Sequence, residues 1–240
     1  IDLLVPSAGF ERARQAILTD LDGVQPIPEL RPGFDEEFGK EALLEVEGRE
    51  VDLHRTFVTG PVGLTIPLDE LFEERAALPL GGRSLPTLGP VASFLQACIN
   101  AAVGDFPVRA CSLRDVVQLS GVAEREADRV TATAERWGVG LVVKRAVDLA
   151  WPGLGLDDGP LSDWASGYRA GLRARLSLRS YLTPARSYTR PAASLLVIPG
   201  VRPRLRYVRS ILFPQGAYLA SRGWGLRSHA RRAMSGFRRR

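Results

Sequence analysis

Two aspartates stand inside short apolar runs that have the pattern of β-strands. Asp2 lies in the run 1–5 (Ile-Asp-Leu-Leu-Val), and Asp52 lies in the run 51–54 (Val-Asp-Leu-His). A carboxylate in an apolar strand is costly unless it is paired or bound to a cation. The two acids therefore predict a metal site, and that site requires their strands to be neighbours in one sheet.

The residues around these acids predict a strand, a helix and a hairpin, in that order. A helical pattern opens after Pro6 and Ser7, with apolar residues recurring on one face. Two apolar runs, 42–46 and 49–54, are then separated by Glu47 and Gly48, which is the signal of a two-residue hairpin turn. This order is the one expected if the first strand lies beside the second strand of the hairpin.

The hairpin register sorts the acids away from the core. With the turn at residues 47 and 48, Leu44 faces Val51 and Leu43 faces Asp52. The second face then carries charged and polar side chains, namely Glu45, Glu50, Asp52 and His54. Like charges on paired strands repel unless they are solvated or neutralised by a cation.

A shared ion is geometrically reasonable for Asp2 and Asp52. Adjacent strands lie about 4.8 Å apart, and Mg²⁺ binds carboxylate oxygens at about 2.1 Å, so acids on neighbouring strands can share one ion. Glu50 is interpreted as a solvated neighbour or as support for the ligands. His54 is interpreted as a residue that orients a carboxylate or touches substrate, or equally as a surface or packing histidine.

Helical patterns dominate the chain beyond the hairpin. A short strand is predicted at 64–66, a helix at 69–77 and a connection at 81–86, followed by helices at 90–103, 112–120, 123–137, 139–150 and 161–180. The predicted fold class is α+β, with a mixed sheet and helices followed by a mostly α-helical domain. The predicted domains are a catalytic domain at 1–80, a helical domain at 81–220 and a basic tail at 221–240.

Charge is distributed unevenly along the chain. Residues 1–80 hold 7 basic and 17 acidic side chains, whereas residues 160–240 hold 17 basic and one acidic. Arginines alternate with apolar and aromatic residues from Arg202 onward, a pattern that suits RNA, an anionic membrane surface or a solvated helical face. The apolar stretches are too short to cross a bilayer, and two histidines offer little material for a hydrolase triad.

The run 1–5 and the run 51–54 resemble motifs of the nucleotidyltransferase superfamily, specifically the bacterial group called uncharacterised nucleotidyltransferase family proteins. That group carries an Asp-Ile-Asp-Leu-Leu-Val strand, a helix, a hairpin ending in Val-Asp-Leu-His, and a helical C-terminal region. The resemblance continues through the segments 66–72, 113–116 and 212–214. It implies metal-assisted transfer of a nucleoside monophosphate from an NTP such as ATP to an unidentified acceptor, a small molecule, protein or RNA, in the cytoplasm.

The resemblance also implies roles for individual residues. Asp2 and Asp52 are expected to be the second and third metal-binding acids, with Mg²⁺ or Mn²⁺ as the cation. The first acid and the Gly-rich phosphate-binding segment are expected before Ile1, so the chain is interpreted as a fragment that binds metal weakly and is inactive as given. The alternative is a non-catalytic protein that binds RNA or another anionic partner through its Arg-rich C-terminal surface.

Overall fold

The computed structural model describes residues 1–104, 107–182, 189–225, 228 and 229. The strands are β1 (Asp2–Leu4), β2 (Glu41–Val46), β3 (Arg49–His54), β4 (Arg75–Leu80) and β5 (Arg83–Leu88). The helices are α1 (Phe10–Asp20), α2 (Phe34–Glu37), α3 (Glu70–Glu73), α4 (Pro90–Ile99), α5 (Ala110–Arg125), α6 (Ala127–Arg136), α7 (Gly140–Leu154), α8 (Pro160–Gly167), α9 (Leu172–Leu182), α10 (Thr189–Val197), α11 (Val201–Leu212) and α12 (Gly216–Ser221). Small sheets with many helices confirm the predicted α+β class.

The chain splits into two compact units. Unit 1 comprises Ile1–Leu64 together with Thr183–Arg240, and unit 2 comprises Thr65–Leu182. The predicted domain bounds after residues 80 and 220 divide the chain differently and stay a prediction. No described helix combines the length and the apolar character that crossing a membrane requires.

Unit 1 is built on a three-stranded mixed sheet with β3 in the centre. The strand order is β1-β3-β2, with β1 parallel and β2 antiparallel to β3. The turn between β2 and β3 places Glu47 at φ 50° and Gly48 at φ 73°, and two positive φ values are what a tight hairpin turn requires. Leu44 pairs with Val51 as predicted.

One face of this sheet packs on α1. The helix buries Phe10 and Ile17, which are about two turns apart on the same side, against the sheet. The sheet contributes four residues to this core: Ala42, Leu44, Val51 and Leu53. They alternate along the strands, so the residues between them project from the opposite face. The predicted sorting of core and acidic faces is therefore confirmed.

Helix α11 joins unit 1 through an aromatic cluster. The Tyr207 ring stands edge-on to Phe38, with centroids 5.2 Å apart, and stacks near Phe34 at 6.0 Å. Arg206 forms an ion pair with Glu37 close by. The buried side of α11 is thus occupied by packing within unit 1.

Unit 2 buries its apolar residues between helices. Helix α4 packs on α5, and α5 packs on α7, which in turn contacts α8. The largest fully buried side chains of this unit come from α4 to α8 and their flanking residues: Phe94, Leu95, Ile99, Val116, Val130, Val139, Val143, Val147 and Leu161.

Predictions for residues 64–88 were partly wrong. Residues 64–66 form a turn and a bend, the helix predicted at 69–77 is only the single turn α3, and the predicted connection is an antiparallel hairpin of β4 and β5. Gly81 and Gly82 both have positive φ and make its turn. Pro79 pairs with Ser84 and Pro86 pairs with Ala77, two positions apart in the ladder. Alternate pairs of an antiparallel ladder exchange no N–H···O bonds, so both prolines fit pairs of that kind.

The helix predicted at 161–180 is also wrong, because it is two helices, α8 and α9. The break at 168–171 follows Gly167 and ends at Gly171, and glycine is a poor helix former. The basic tail predicted at 221–240 lies, after residue 225 and apart from residues 228 and 229, outside the described residues.

Candidate functional site

The parallel pairing of β1 and β3 brings the two predicted acids together. Asp2 pairs with Asp52, and Leu3 pairs with Leu53. Residues paired in a parallel ladder project to the same face, so both carboxylates stand side by side on the face opposite the α1 core. Neither the helix nor the hairpin alone creates this arrangement, because β1 reaches β3 only through long-range pairing.

His54 completes a group of three metal-ligating side chains. One ligand atom from each of Asp2, Asp52 and His54 lies within 4.8 Å of the others. The Nε2 atom of His54 is 3.2 Å from Oδ1 of Asp2. The Asp2 side chain is 77% exposed and that of His54 only 15%, so the group has one open side and one enclosed side.

The other ring nitrogen of His54 faces Glu41, which lies directly across the β2–β3 ladder. His54 Nδ1 is 3.1 Å from Glu41 Oε2, and Lys40 Nζ is 2.5 Å from the same oxygen. Glu41 was not among the residues predicted from the sequence, although extending the predicted hairpin register to the end of the strand pairs residue 41 with residue 54.

These contacts shift the ionisation of both partners. Burial lowers the pKa of His54, but contacts with the carboxylates of Glu41 and Asp2 outweigh it and raise that pKa overall. Contact with His54 lowers the pKa of Glu41 to about 2, with Lys40 adding to the effect and burial opposing it. The pair therefore favours an ionised Glu41 beside a protonated His54.

The donor set fits a divalent cation. Ligand bonds of about 2.1 to 2.4 Å keep two ligand atoms of one ion at most about 4.2 to 4.8 Å apart, and the three ligand atoms lie within 4.8 Å of one another. Two carboxylates suit Mg²⁺ or Mn²⁺, and an imidazole nitrogen is a ligand that transition metals accept more readily than Mg²⁺ does. Glu50 lies on the same face but outside the group of three; it is exposed and pairs with Glu45 in the ladder.

A second titratable carboxyl lies in the same unit. Burial and the neighbouring carboxylate of Glu29 raise the pKa of Asp35 to about 7, with Arg14 opposing the shift and Glu41 adding to it. The backbone N–H of Asp35 donates to Glu29 Oε2 at 3.3 Å. Asp35 is therefore electrostatically coupled to Glu29 and, more weakly, to Glu41.

Comparison with known proteins identifies the family. The family model described as Uncharacterised nucleotidyltransferase matches residues 1–151, which include β1, the β2–β3 hairpin and the helices through most of α7. No curated protein and no solved structure matches the chain. The matched segment contains all three members of the group, Asp2, Asp52 and His54. The chain belongs to the Uncharacterised nucleotidyltransferase family.

Proposed function

We propose that this protein transfers a nucleoside monophosphate from an NTP to an acceptor, with Asp2 and Asp52 as ligands of Mg²⁺ or Mn²⁺. Family membership supports nucleotidyl transfer as the general activity and an NTP as substrate. The observation that carries the metal assignment is the pairing of Asp2 with Asp52 in a parallel ladder, since it sets two carboxylates side by side. An NTP-dependent reaction also suits a cytoplasmic location.

The reaction forms a bond between the acceptor oxygen or nitrogen and the α-phosphorus, and breaks the bond from that phosphorus to pyrophosphate. A divalent cation, when bound, neutralises charge on the triphosphate and lowers the pKa of an attacking hydroxyl. Asp52 lies in the central strand, partly buried, and is the carboxylate proposed to accept the proton that the acceptor loses. Asp2 is more exposed and is proposed to complete the ligand pair on the open side.

His54 and Glu41 are proposed to position these acids. Glu41 holds the Nδ1 side of the imidazole, which leaves Nε2 directed at Asp2. A carboxylate on the far nitrogen fixes the ring orientation and the tautomer of a histidine beside a metal. His54 therefore either contributes Nε2 to the cation or hydrogen-bonds the Asp2 carboxylate, and the second role is one of those left open from the sequence.

The proposal is tested with the complete product of the gene and α-labelled ATP, GTP, CTP and UTP. Label transfer and pyrophosphate release are measured with Mg²⁺ and with Mn²⁺, against extracts fractionated into small molecules, protein and RNA as acceptors. Asp52→Asn is expected to abolish transfer. Asp115→Asn is the matched control, because Asp115 is an exposed acid paired with Arg114 on α5. Equal activity of the Asp52 variant and the wild type would refute the assignment.

A second candidate function is binding of RNA or another anionic partner through the Arg-rich C-terminal residues. It is supported by Arg202 and Arg209, which are exposed on α11. This binding role would be favoured if nucleotidyl transfer survived the change Asp52→Asn. It would also be favoured if the chain retained an anionic partner but never turned over NTP. Both functions are compatible with one chain, since they use different surfaces.

A further inference from the structure

Helix α11 carries an apolar stripe on its exposed side, which we call the α11 seam: Val201, Leu205, Val208 and Leu212. The members are spaced by four, three and four residues, which is the spacing of the core positions of a coiled coil. Val201 is 70% exposed, Leu205 63% and Leu212 47%. The opposite side of α11 buries Tyr207 and Ser210, whereas Val208 is only partly buried and the other three seam residues are exposed.

Arginines flank the α11 seam on both sides. Arg202 and Arg209 each follow a seam residue by one position, are exposed, and form no ion pair with any described residue. Arg204 flanks the other side, where its Nε donates to the Ile198 carbonyl. The only acid in the sequence from residue 160 onward is Asp163, so the flanks of the seam carry positive charge alone.

This charge pattern disfavours the simplest occupant, a second copy of the same helix. In a parallel pair the flank with Arg202 and Arg209 meets the flank with Arg204, and in an antiparallel pair each flank meets itself. Every close flanking contact between charges is therefore arginine against arginine, which disfavours self-pairing.

The width of the stripe distinguishes the remaining occupants. The α11 seam is limited to core-type positions, which makes it narrower than the broad apolar face that a helix lying in a membrane surface buries. The phosphate backbone of a nucleic acid would bind the arginines, but it would make no apolar contact with the aliphatic side chains of the α11 seam. A helix with its own aliphatic seam and acidic flanks would bury the α11 seam and also pair with the flanking arginines.

We propose that α11 binds an acidic amphipathic helix of a partner protein. The partner's aliphatic side chains pack on Leu205 and its neighbours in the seam, and its Glu or Asp residues pair with Arg202 and Arg209. This interaction rests on the α11 surface and is independent of the nucleotidyl-transfer proposal.

The test uses the 240-residue chain and two labelled three-heptad peptides with leucine at all core positions. One peptide has glutamate at the flanking positions and the other has lysine, and like charges keep each peptide from pairing with itself. Fluorescence anisotropy is expected to show at least about tenfold tighter binding of the acidic peptide at low salt, with the difference shrinking at high salt. Equal binding of both peptides, or binding of neither, would overturn the proposal.

Two variants locate the contact. Leu205→Ser is expected to lose most of the binding, whereas Leu80→Ser, at a leucine of β4 that is 60% exposed, is expected to keep it. The double change Arg202→Glu/Arg209→Glu is expected to reverse the preference toward the lysine peptide, which a misfolded protein cannot do.

Three further outcomes would contradict the proposal and identify a different occupant of the α11 seam. Light scattering that shows a dimer dissociated by Leu205→Ser would identify a second copy. Binding to phosphatidylcholine vesicles only when they contain phosphatidylglycerol, without binding to the acidic peptide, would identify a lipid surface. Binding of poly(U) in place of the acidic peptide would identify RNA.

Discussion

Glu41 and His54 face each other across the β2–β3 ladder, with Glu41 Oε2 3.1 Å from His54 Nδ1. The contact ties the last polar pair of the hairpin to the two aspartates, because the opposite ring nitrogen faces Asp2. The hairpin thus supplies Asp52 and also holds the side chain that reaches across to β1.

Replacing Glu41 by glutamine is expected to release His54. Since contact with Glu41 raises the pKa of His54 against the effect of burial, that pKa should fall in the Glu41→Gln variant. The chain has two histidines, so NMR titration of the ring C–H signals resolves the change directly. Mn²⁺ affinity, measured by electron paramagnetic resonance, should weaken about tenfold. Glu45→Gln, on the exposed face of the same strand, should change neither quantity.

Removing one of the paired aspartates is expected to raise the melting temperature without metal and to abolish the rise that metal causes. Like charges side by side on paired strands destabilise the fold, so Asp52→Asn should raise the melting temperature slightly in a chelator. Mn²⁺ should raise the melting temperature of the wild type and leave that of the variant unchanged.

Glu50 supplies the control for the aspartate experiment. It lies on the same face of β3 as Asp52 but is exposed and outside the group of three. Glu50→Gln should therefore retain the Mn²⁺-dependent stabilisation. Loss of that stabilisation would instead indicate that Glu50 supports the ligands, which is one of the two roles expected from the sequence.

Asp35 is expected to make the stability of the protein fall as pH rises. Its folded-state pKa of about 7 lies above the ordinary value of 3.8, so the folded state keeps a proton that the unfolded state loses. The free-energy cost of ionising Asp35 in the folded state therefore grows between about pH 4 and pH 7. It is fully present above pH 7, where the difference between 3.8 and about 7 corresponds to about 4 kcal/mol. Asp35→Asn stays neutral and should exceed the wild type in stability at pH 8 but not at pH 4, as measured by urea unfolding.

The exposed neighbour Glu36 gives the matched control for this titration. Glu36→Gln should shift the unfolding curve equally at both pH values. A difference between Asp35→Asn and wild type that does not change with pH would contradict the assignment of a raised pKa to Asp35.

Two glycine-to-alanine changes should move stability in opposite directions. A Cβ at Gly63 would lie 1.8 Å from the Val58 carbonyl oxygen, so Gly63→Ala must displace the backbone and should cost about 2 to 4 kcal/mol. A Cβ at Gly153 meets open space inside α7, so Gly153→Ala should gain up to about 1 kcal/mol from helix propensity. The melting temperature should be lower than that of the wild type for Gly63→Ala and higher for Gly153→Ala.

The sequence predicted the β2–β3 hairpin better than the β4–β5 hairpin. In the first, alternation of apolar residues and a turn with Gly48 in second position both indicate the same register, which the structure confirms. In the second, Gly81 and Gly82 indicated only a connection, and prolines in both strands hid the pairing. A ribbon whose residues are mostly exposed has no buried face, and a period-2 pattern marks a strand only when one face is buried.

Local sequence determined which residues form β1, α1, β2 and β3, which face of the sheet carries acids, and the charge of the C-terminal helices. These features follow from side-chain periodicity and turn chemistry over a few residues at a time. The tertiary structure alone decided that β1 pairs beside β3 with Asp2 opposite Asp52, and that His54 points one nitrogen to Asp2 and the other to Glu41. Pairing of distant strands depends on the free energy of burying a shared core with α1. That free energy belongs to the assembled unit, so no pattern of a few residues contains it.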